Sequence, residues 1–199
     1  MTRLNRKAFT LIELLIVVAI IGVLAAIAVP NFLNAQMRAK IANVQAELRN
    51  LSSALEMYRM DRGMYPPWRT FQNGDIWPVS RRLHPLTTPI SYMSSIGQDP
   101  FLKKIGGQTV ITQEHWAYDS YDYIDAWTMI HTIKNTTLSD SCYCSEWRMA
   151  SAGPDGLQTY GRVAIFDASN GLKSVGDLIR IGPRASYPCD DSLLKKLGG

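Results

Sequence analysis

The chain has 199 residues, 46% hydrophobic and 19% charged, with 3 Cys, which excludes a disordered polymer and a disulfide-dense miniature scaffold. Only one segment is long and apolar enough to span a bilayer, so a polytopic membrane protein is excluded as well. The net charge of +4 is local: with Arg3, Arg6 and Lys7 set aside, 18 Lys and Arg face 17 Asp and Glu, and such a neutral body predicts no specific nucleic-acid partner.

Residues 1–8 are short, polar and basic. Phe9-Thr10-Leu11-Ile12-Glu13 follows, and no further charge appears from Leu14 to Met37. A run of about 20 apolar residues crosses the hydrocarbon core as a helix. Basic residues just before such a run stay cytoplasmic, so the rest of the chain is expected to face outward. A secretory signal peptide shares the basic start and apolar centre; Leu24-Ala25-Ala26 or Ala26-Ile27-Ala28 would then supply its small-residue cleavage site. Neither reading explains Glu13. A carboxylate inside an apolar span is costly and usually has a partner, yet no basic residue follows until Arg38. A cut just before Phe9 would create a partner, because the new α-amino group is a cation at the helix start. Glu13 would then pair with its own N-terminus or with that of a neighbouring subunit.

The segment Lys7-Ala8-Phe9-Thr10-Leu11-Ile12-Glu13-Leu14-Leu15 resembles the signature of type IV pilins and type II secretion pseudopilins, and the resemblance continues through Gly22 and Pro30 to Arg62. It implies that a membrane-embedded prepilin peptidase cuts between Ala8 and Phe9 and that Phe9 is N-methylated. It implies that Glu13 neutralises the amino group of an adjacent subunit during assembly. Gly22 and Pro30 match positions where the helix bends or melts in the filament. The family's residue before the cut is usually Gly; here it is Ala8, a departure that still leaves a small side chain. The implied partners are further copies of the chain in a homo-oligomeric helical filament, the peptidase and an inner-membrane assembly platform. The implied location is the inner membrane, with the C-terminal domain outside the cytoplasm, and then a periplasmic pseudopilus or an extracellular filament. The chain is divided accordingly into a leader over 1–8, a transmembrane and polymerisation half-helix over 9–36, and a globular domain over 37–199 that includes the amphipathic half of the helix.

Beyond Pro30 the pattern becomes amphipathic. Met37, Ile41, Val44, Leu48, Leu51, Leu55 and Tyr58 recur at spacings of four and three, one stripe on a helix. That spacing suits a coiled coil too; the resemblance favours packing on a sheet of the same chain. Gly63 is the expected C-cap, and Pro66-Pro67 prevents continuation. Residues 64–100 read as loop, with a short helical stretch over Val79–Leu83 and an Asp99-Pro100-Phe101 end. Strands are predicted over Thr109–Thr112, Ala117–Ile124, Glu146–Ser151, Arg162–Phe166 and Leu178–Ile181, with Gly106-Gly107 as a hairpin turn. One long helix followed by short strands predicts an α+β fold with a small antiparallel sheet.

The C-terminal third carries three oxygen-rich turns: Ser151 to Gly156, Asp167 to Gly171, and Gly176-Asp177. Hard oxygen ligands on loops suit Ca²⁺, but Asp, Asn and Gly also make turns without any ion. The Ser-x-Gly-x-Asp-Gly pattern at Ser151 resembles the calcium loop of major pseudopilins, which implies Ser151, Asp155, Asp167, Asn170 and Asp177 as calcium ligands. The positions between Asp155 and Asp167 lack the ligands of an EF-hand. An outward-facing domain sees an oxidising space. The resemblance implies that Cys189 pairs with Cys142 or Cys144 and closes a C-terminal loop, whereas a Cys142–Cys144 bridge would be strained. The three histidines, His84, His115 and His131, show no zinc spacing. No HExxH, P-loop, GxSxG or GxGxxG occurs, so no catalytic residue is assigned. Trp116, Tyr118, Tyr121, Tyr123 and Trp127 suit stacking on bases or sugars, but core packing is the commoner use of such residues.

Three functions fit. The first is a structural subunit that polymerises through its apolar helix. The second is a minor or tip pilin-like protein whose head binds a ligand or a secretion partner. The third is a monomeric anchored binding module, which Glu13 argues against, since an isolated anchor gains nothing from a buried carboxylate.

Overall fold

In the computed structural model the described residues are 10–70, 74–102, 104–105, 108–109, 119–132, 142, 144–159 and 165–187. The longest element is helix α1, Leu11–Arg62, of 52 residues, which is about 80 Å at 1.5 Å per residue. It runs unbroken through Gly22 and Pro30, although Pro30 has no N–H to offer the Ala26 carbonyl.

The chain divides into two compact units, the first ending at Ala39 and the second beginning at Lys40. In the first, every described residue through Gln36 is exposed, with Leu11 at 88% and Phe32 at 63%. Glu13 is the one charged residue among them. From Leu14 to Val29 this stretch is apolar on all sides, and the helix is long and apolar enough to cross a membrane.

In the second unit α1 is one-sided. Ile41, Val44, Leu48, Leu51, Ala54 and Leu55 are buried, and Tyr58 is half-buried. This is the stripe that the spacing predicts, and it packs on the chain's own sheet. The Trp147 indole Nε1–H donates to Glu56 Oε1 at 3.0 Å. The Tyr65 hydroxyl donates to the same carboxylate at 3.0 Å. Burial beside Glu56 pushes the Tyr65 hydroxyl up to about 12. Gly63 ends the helix as expected: its φ is +75°, and its N–H bonds the Arg59 carbonyl at 2.7 Å.

The sheet is antiparallel, with strands β5 (Asp122–Asp125), β6 (Trp147–Ser151) and β7 (Leu178–Ile181) in that spatial order. Asp122 lies opposite Ala150, and Ser151 opposite Leu178. Among the described residues two further strand pairs are antiparallel: β1 (Arg69–Thr70) with β2 (Gly74–Asp75), and β3 (Lys104–Ile105) with β4 (Gln108–Thr109). Helix α2 (Ser80–Leu83) falls inside the predicted helical stretch. The predicted strands β6 and β7 are present, and β5 begins five residues into the predicted Ala117–Ile124. Residues 110–118 and 160–164 lie outside the described residues, and with them most of the first and fourth predicted strands. So do Gly106 and Gly107, between β3 and β4. Of the fourth predicted strand, Ile165 makes a single bridge to Asp177.

Helix α3, Ala126–Thr132, is a difference from the sequence reading. Its Trp, Thr and Ile content favours strand, but Asp125 Oδ2 accepts the Thr128 N–H at 2.8 Å and caps the first turn. That carboxylate also accepts the Trp68 N–H at 3.4 Å. Burial pushes the Asp125 carboxyl up to about 6, against the opposing pull of those donors.

Charge holds α2 to the sheet. Asp122 accepts from Arg82 Nη1 at 2.9 Å and from Arg148 Nη2 at 2.6 Å, and all three side chains are buried. Arg82 also donates to the Ile76 and Tyr123 carbonyls and lies 4.6 Å over the Trp77 ring. Buried charges persist only when paired and hydrogen-bonded. The predicted Asp99-Pro100-Phe101 loop is anchored comparably: Asp99 accepts the Phe101 N–H at 2.9 Å and the Ala152 N–H at 2.7 Å. Burial raises that carboxyl, while the two backbone donors pull it the other way. Tyr121 and Tyr123 are core residues at 1% and 0% exposure, the packing role rather than a stacking surface. Trp116 and Tyr118 lie outside the described residues.

Candidate functional site

The first candidate site is the start of α1. Ala8 and Phe9, the expected processing pair, lie outside the described residues. Thr10 and Glu13 are described, and they form a reciprocal cap. The Thr10 N–H donates to Glu13 Oε2 at 2.9 Å, the Thr10 hydroxyl donates to the same oxygen at 2.7 Å, and the Glu13 N–H donates back to Thr10 Oγ1 at 3.3 Å. Thr10 is the N-cap and Glu13 the third helical residue, the arrangement of a capping box. The carboxylate also sits at the positive end of the helix dipole. Thr10 is therefore the helix cap at this site, and the expected site residues do not include it. The signal was present: Thr-x-x-Glu directly before an apolar run marks a helix start. Gly22 stands on a face where an added Cβ would meet nothing within 4 Å.

The second candidate site is the junction of the oxygen-rich turns. Asp155 Oδ1 accepts the Leu157 N–H at 2.9 Å, and Oδ2 accepts the Gly176 N–H at 3.0 Å. Asp177 is fully buried and accepts from Thr159 twice, from the N–H at 3.0 Å and the hydroxyl at 3.1 Å. Ser151 Oγ accepts the Gly153 N–H at 3.4 Å. Asp167 is exposed and caps its own short 3₁₀ turn through the Ser169 N–H at 2.8 Å. Asn170 is exposed in that same turn. The structure thus joins Asp155 to the Gly176-Asp177 turn and leaves Asp167 and Asn170 at the surface. Among the described residues no group of three or more His, Cys, Asp or Glu side chains could hold a metal. Asp155, Asp167 and Asp177 therefore do not converge, and Asp167 and Asn170 stay at the surface, so the set as it stands does not fit a calcium shell of six to eight oxygens.

Cys144 is buried and disulfide-bonded, Cys142 is buried, and Cys189 lies outside the described residues. A cleft of about 760 Å³ opens beside β2 and α2, lined by Asp75, Trp77, Arg81, His84 and neighbouring residues. That volume is in the range of small-molecule sites.

The model for the prokaryotic N-terminal methylation motif matches residues 3–29. The chain is 32% identical over 120 residues to the type II secretion system core protein G of Escherichia coli K12, a match covering 58% of this chain and 79% of that protein. It is 38% identical over 66 residues to the core protein G of Pseudomonas aeruginosa, covering 33% of this chain and 46% of the relative. It is 51% identical over 61 residues to the type IV wide pilus major component PilA4 of Thermus thermophilus, covering 31% and 47%. Against these last two the chain spans about half of the relative's length. No solved structure matches the chain. With its α1 motif, its α+β fold and these matches, the chain belongs to the family of type IV pilins and type II secretion core pseudopilins.

Proposed function

We propose that this chain is a structural subunit of a type IV pilus-like or type II secretion pseudopilus filament. A prepilin peptidase cuts it between Ala8 and Phe9, and it then polymerises with copies of itself through α1. It waits in the inner membrane with its C-terminal unit outside the cytoplasm and is drawn into the filament by an assembly platform. The role is mechanical rather than catalytic. One observation carries the reading: an exposed, all-round apolar half-helix keeps one carboxylate, Glu13, at its first turn. Membrane anchoring alone does not select such a group, because an intramembrane carboxylate is costly. A neighbour's amino terminus makes it useful.

Intact-mass measurement on membrane-extracted protein tests the processing step. The expected mass is that of the chain without residues 1–8, carrying one methyl group. A mass matching cleavage after Ala26 or Ala28 restores the signal-peptide reading. Glu13→Gln tests assembly, since it keeps the size and removes the charge. The variant is expected to insert in the membrane and to enter sheared filaments poorly, and normal incorporation would refute the assembly role. Within this reading Cys144 pairs with Cys189, because a bridge to Cys142, one residue away, would strain the backbone. Non-reducing peptide mapping shows which peptide stays attached to Cys144.

The cleft beside Trp77 and His84 favours a second reading, a minor or tip subunit whose head binds a ligand. Abundance in sheared filaments separates the two: a major subunit dominates the preparation, and a tip subunit is a trace component.

A further inference from the structure

We propose that the C-terminal loops of this chain are closed by a metal-free clamp, in which Asp155 and Asp177 accept N–H bonds across the junction instead of coordinating a cation. The inference is independent of the filament reading. It starts from where the acceptor atoms are spent. Asp155 splits its two oxygens between its own turn and the opposite loop, through the N–H groups of Leu157 and Gly176. Asp177 receives Thr159 on both oxygens, at 3.2 and 3.0 Å from its N–H. An N–H turns the positive end of its dipole toward the carboxylate and takes one of the lone pairs that a cation would use. Bonds from N–H donors to an ionised carboxylate are about twice as strong as neutral ones.

The backbones themselves leave no gap. A Cβ added at Gly153, whose φ is +67°, would lie 2.0 Å from the Gly176 carbonyl oxygen. One added at Gly176, with φ +128°, would lie 2.6 Å from the Ile165 carbonyl carbon. The Phe166 N–H bonds the Asp177 carbonyl at 2.9 Å and ties the third segment to the junction. Three segments thus meet backbone to backbone, and glycine is required at two of the meeting points. The third acidic turn adds no arm to the clamp, because Asp167 is exposed and capped within its own turn.

The test is thermal unfolding of the full-length chain in detergent, in millimolar Ca²⁺ and in chelator. The clamp predicts the same midpoint in both. It also predicts that Asp177→Asn lowers the midpoint by about 2–8 °C, equally in both media, since one acceptor facing Thr159 becomes a donor. Thr159→Val keeps the branched shape, removes only the hydroxyl donor, and is expected to shift the midpoint in the same direction by less. Gly176→Ala should give the largest fall. Should that variant fail to fold, the Asn and Val variants carry the test. A midpoint that rises with Ca²⁺ in the wild type and not in Asp177→Asn overturns the clamp in favour of a metal site. An Asp177→Asn chain that melts like the wild type in both media overturns it in favour of simple turn formation.

Discussion

The two halves of α1 have the same backbone and opposite surfaces. Through Val29 the helix exposes apolar side chains all round, with Glu13 as its single charge. From Ile41 onward it hides six residues on one side and turns Arg49, Arg59 and Arg62 to solvent. Apart from the Ala26 carbonyl, which Pro30 cannot serve, both halves satisfy their interior peptide groups within the helix, which is the condition for crossing a bilayer and is also met in water. The difference lies in what must surround them. The first half needs an apolar environment on every side, which lipid or other helices supply. The second needs cover on one face only, and the sheet β5–β6–β7 provides it. A single secondary-structure element thus joins two folding problems, and substitutions should separate them.

The largest effect is expected at Asp122, in the second unit. Asp122→Ala leaves two buried guanidinium groups facing each other without a counter-charge, a loss of about 3–5 kcal/mol. Urea unfolding of the second unit reads it, and membrane insertion should be unchanged. Next come paired leucine truncations along α1. Leu51 is fully buried, and Leu51→Ala should cost about 2–5 kcal/mol. Leu24 is 62% exposed, and Leu24→Ala should leave the same unfolding curve within about 0.5 kcal/mol. Equal effects would show that the halves do not differ as described.

A smaller effect is pH-dependent. Asp125 titrates near 6 in the folded chain against an ordinary 3.8, so the folded state holds its proton more tightly than the unfolded one. Its stabilising share is fully present below about pH 4 and is lost as the pH rises through 6, about 2–3 kcal/mol in all. Asp99 is shifted in the same direction. Asp125→Asn keeps a good N-cap for α3 and should flatten this part of the pH profile. The smallest effect concerns the first half itself. Thr10→Ala should fray the first turn of α1 and leave the unfolding of the second unit unchanged, as amide exchange in micelles would report.

Much of this was legible in the sequence because periodicity is a local property. The Ile41–Leu55 stripe, the Gly63 stop, the β6 and β7 segments and the α2 turn all follow from spacing or from one turn residue. Helix α3 was not legible. Its composition speaks for strand, and one buried carboxylate, Asp125, decides for helix. The Arg82–Asp122–Arg148 pairing joins residues 40 and 26 positions apart, which no local pattern encodes. At the first candidate site the cost of a carboxylate in an apolar run marks Glu13, and the Thr-x-x-Glu pattern beside it marks its partner Thr10. At the second, the acidic turns were found by composition. Composition could not say that Asp155 and Asp177 would meet backbone donors while Asp167 stayed at the surface.

The reciprocal cap at Thr10 and Glu13 bears on the order of events in maturation. All its atoms lie downstream of the expected cut before Phe9. On the proposed processing, removing the leader would change what stands next to the helix and leave every atom of the cap in place. The precursor and the trimmed chain would then share one start to α1, at residue 11, and the proposed cleavage would add an amino group to an anchor that is already formed. The enzyme that makes the proposed cut would have no need to refold its substrate.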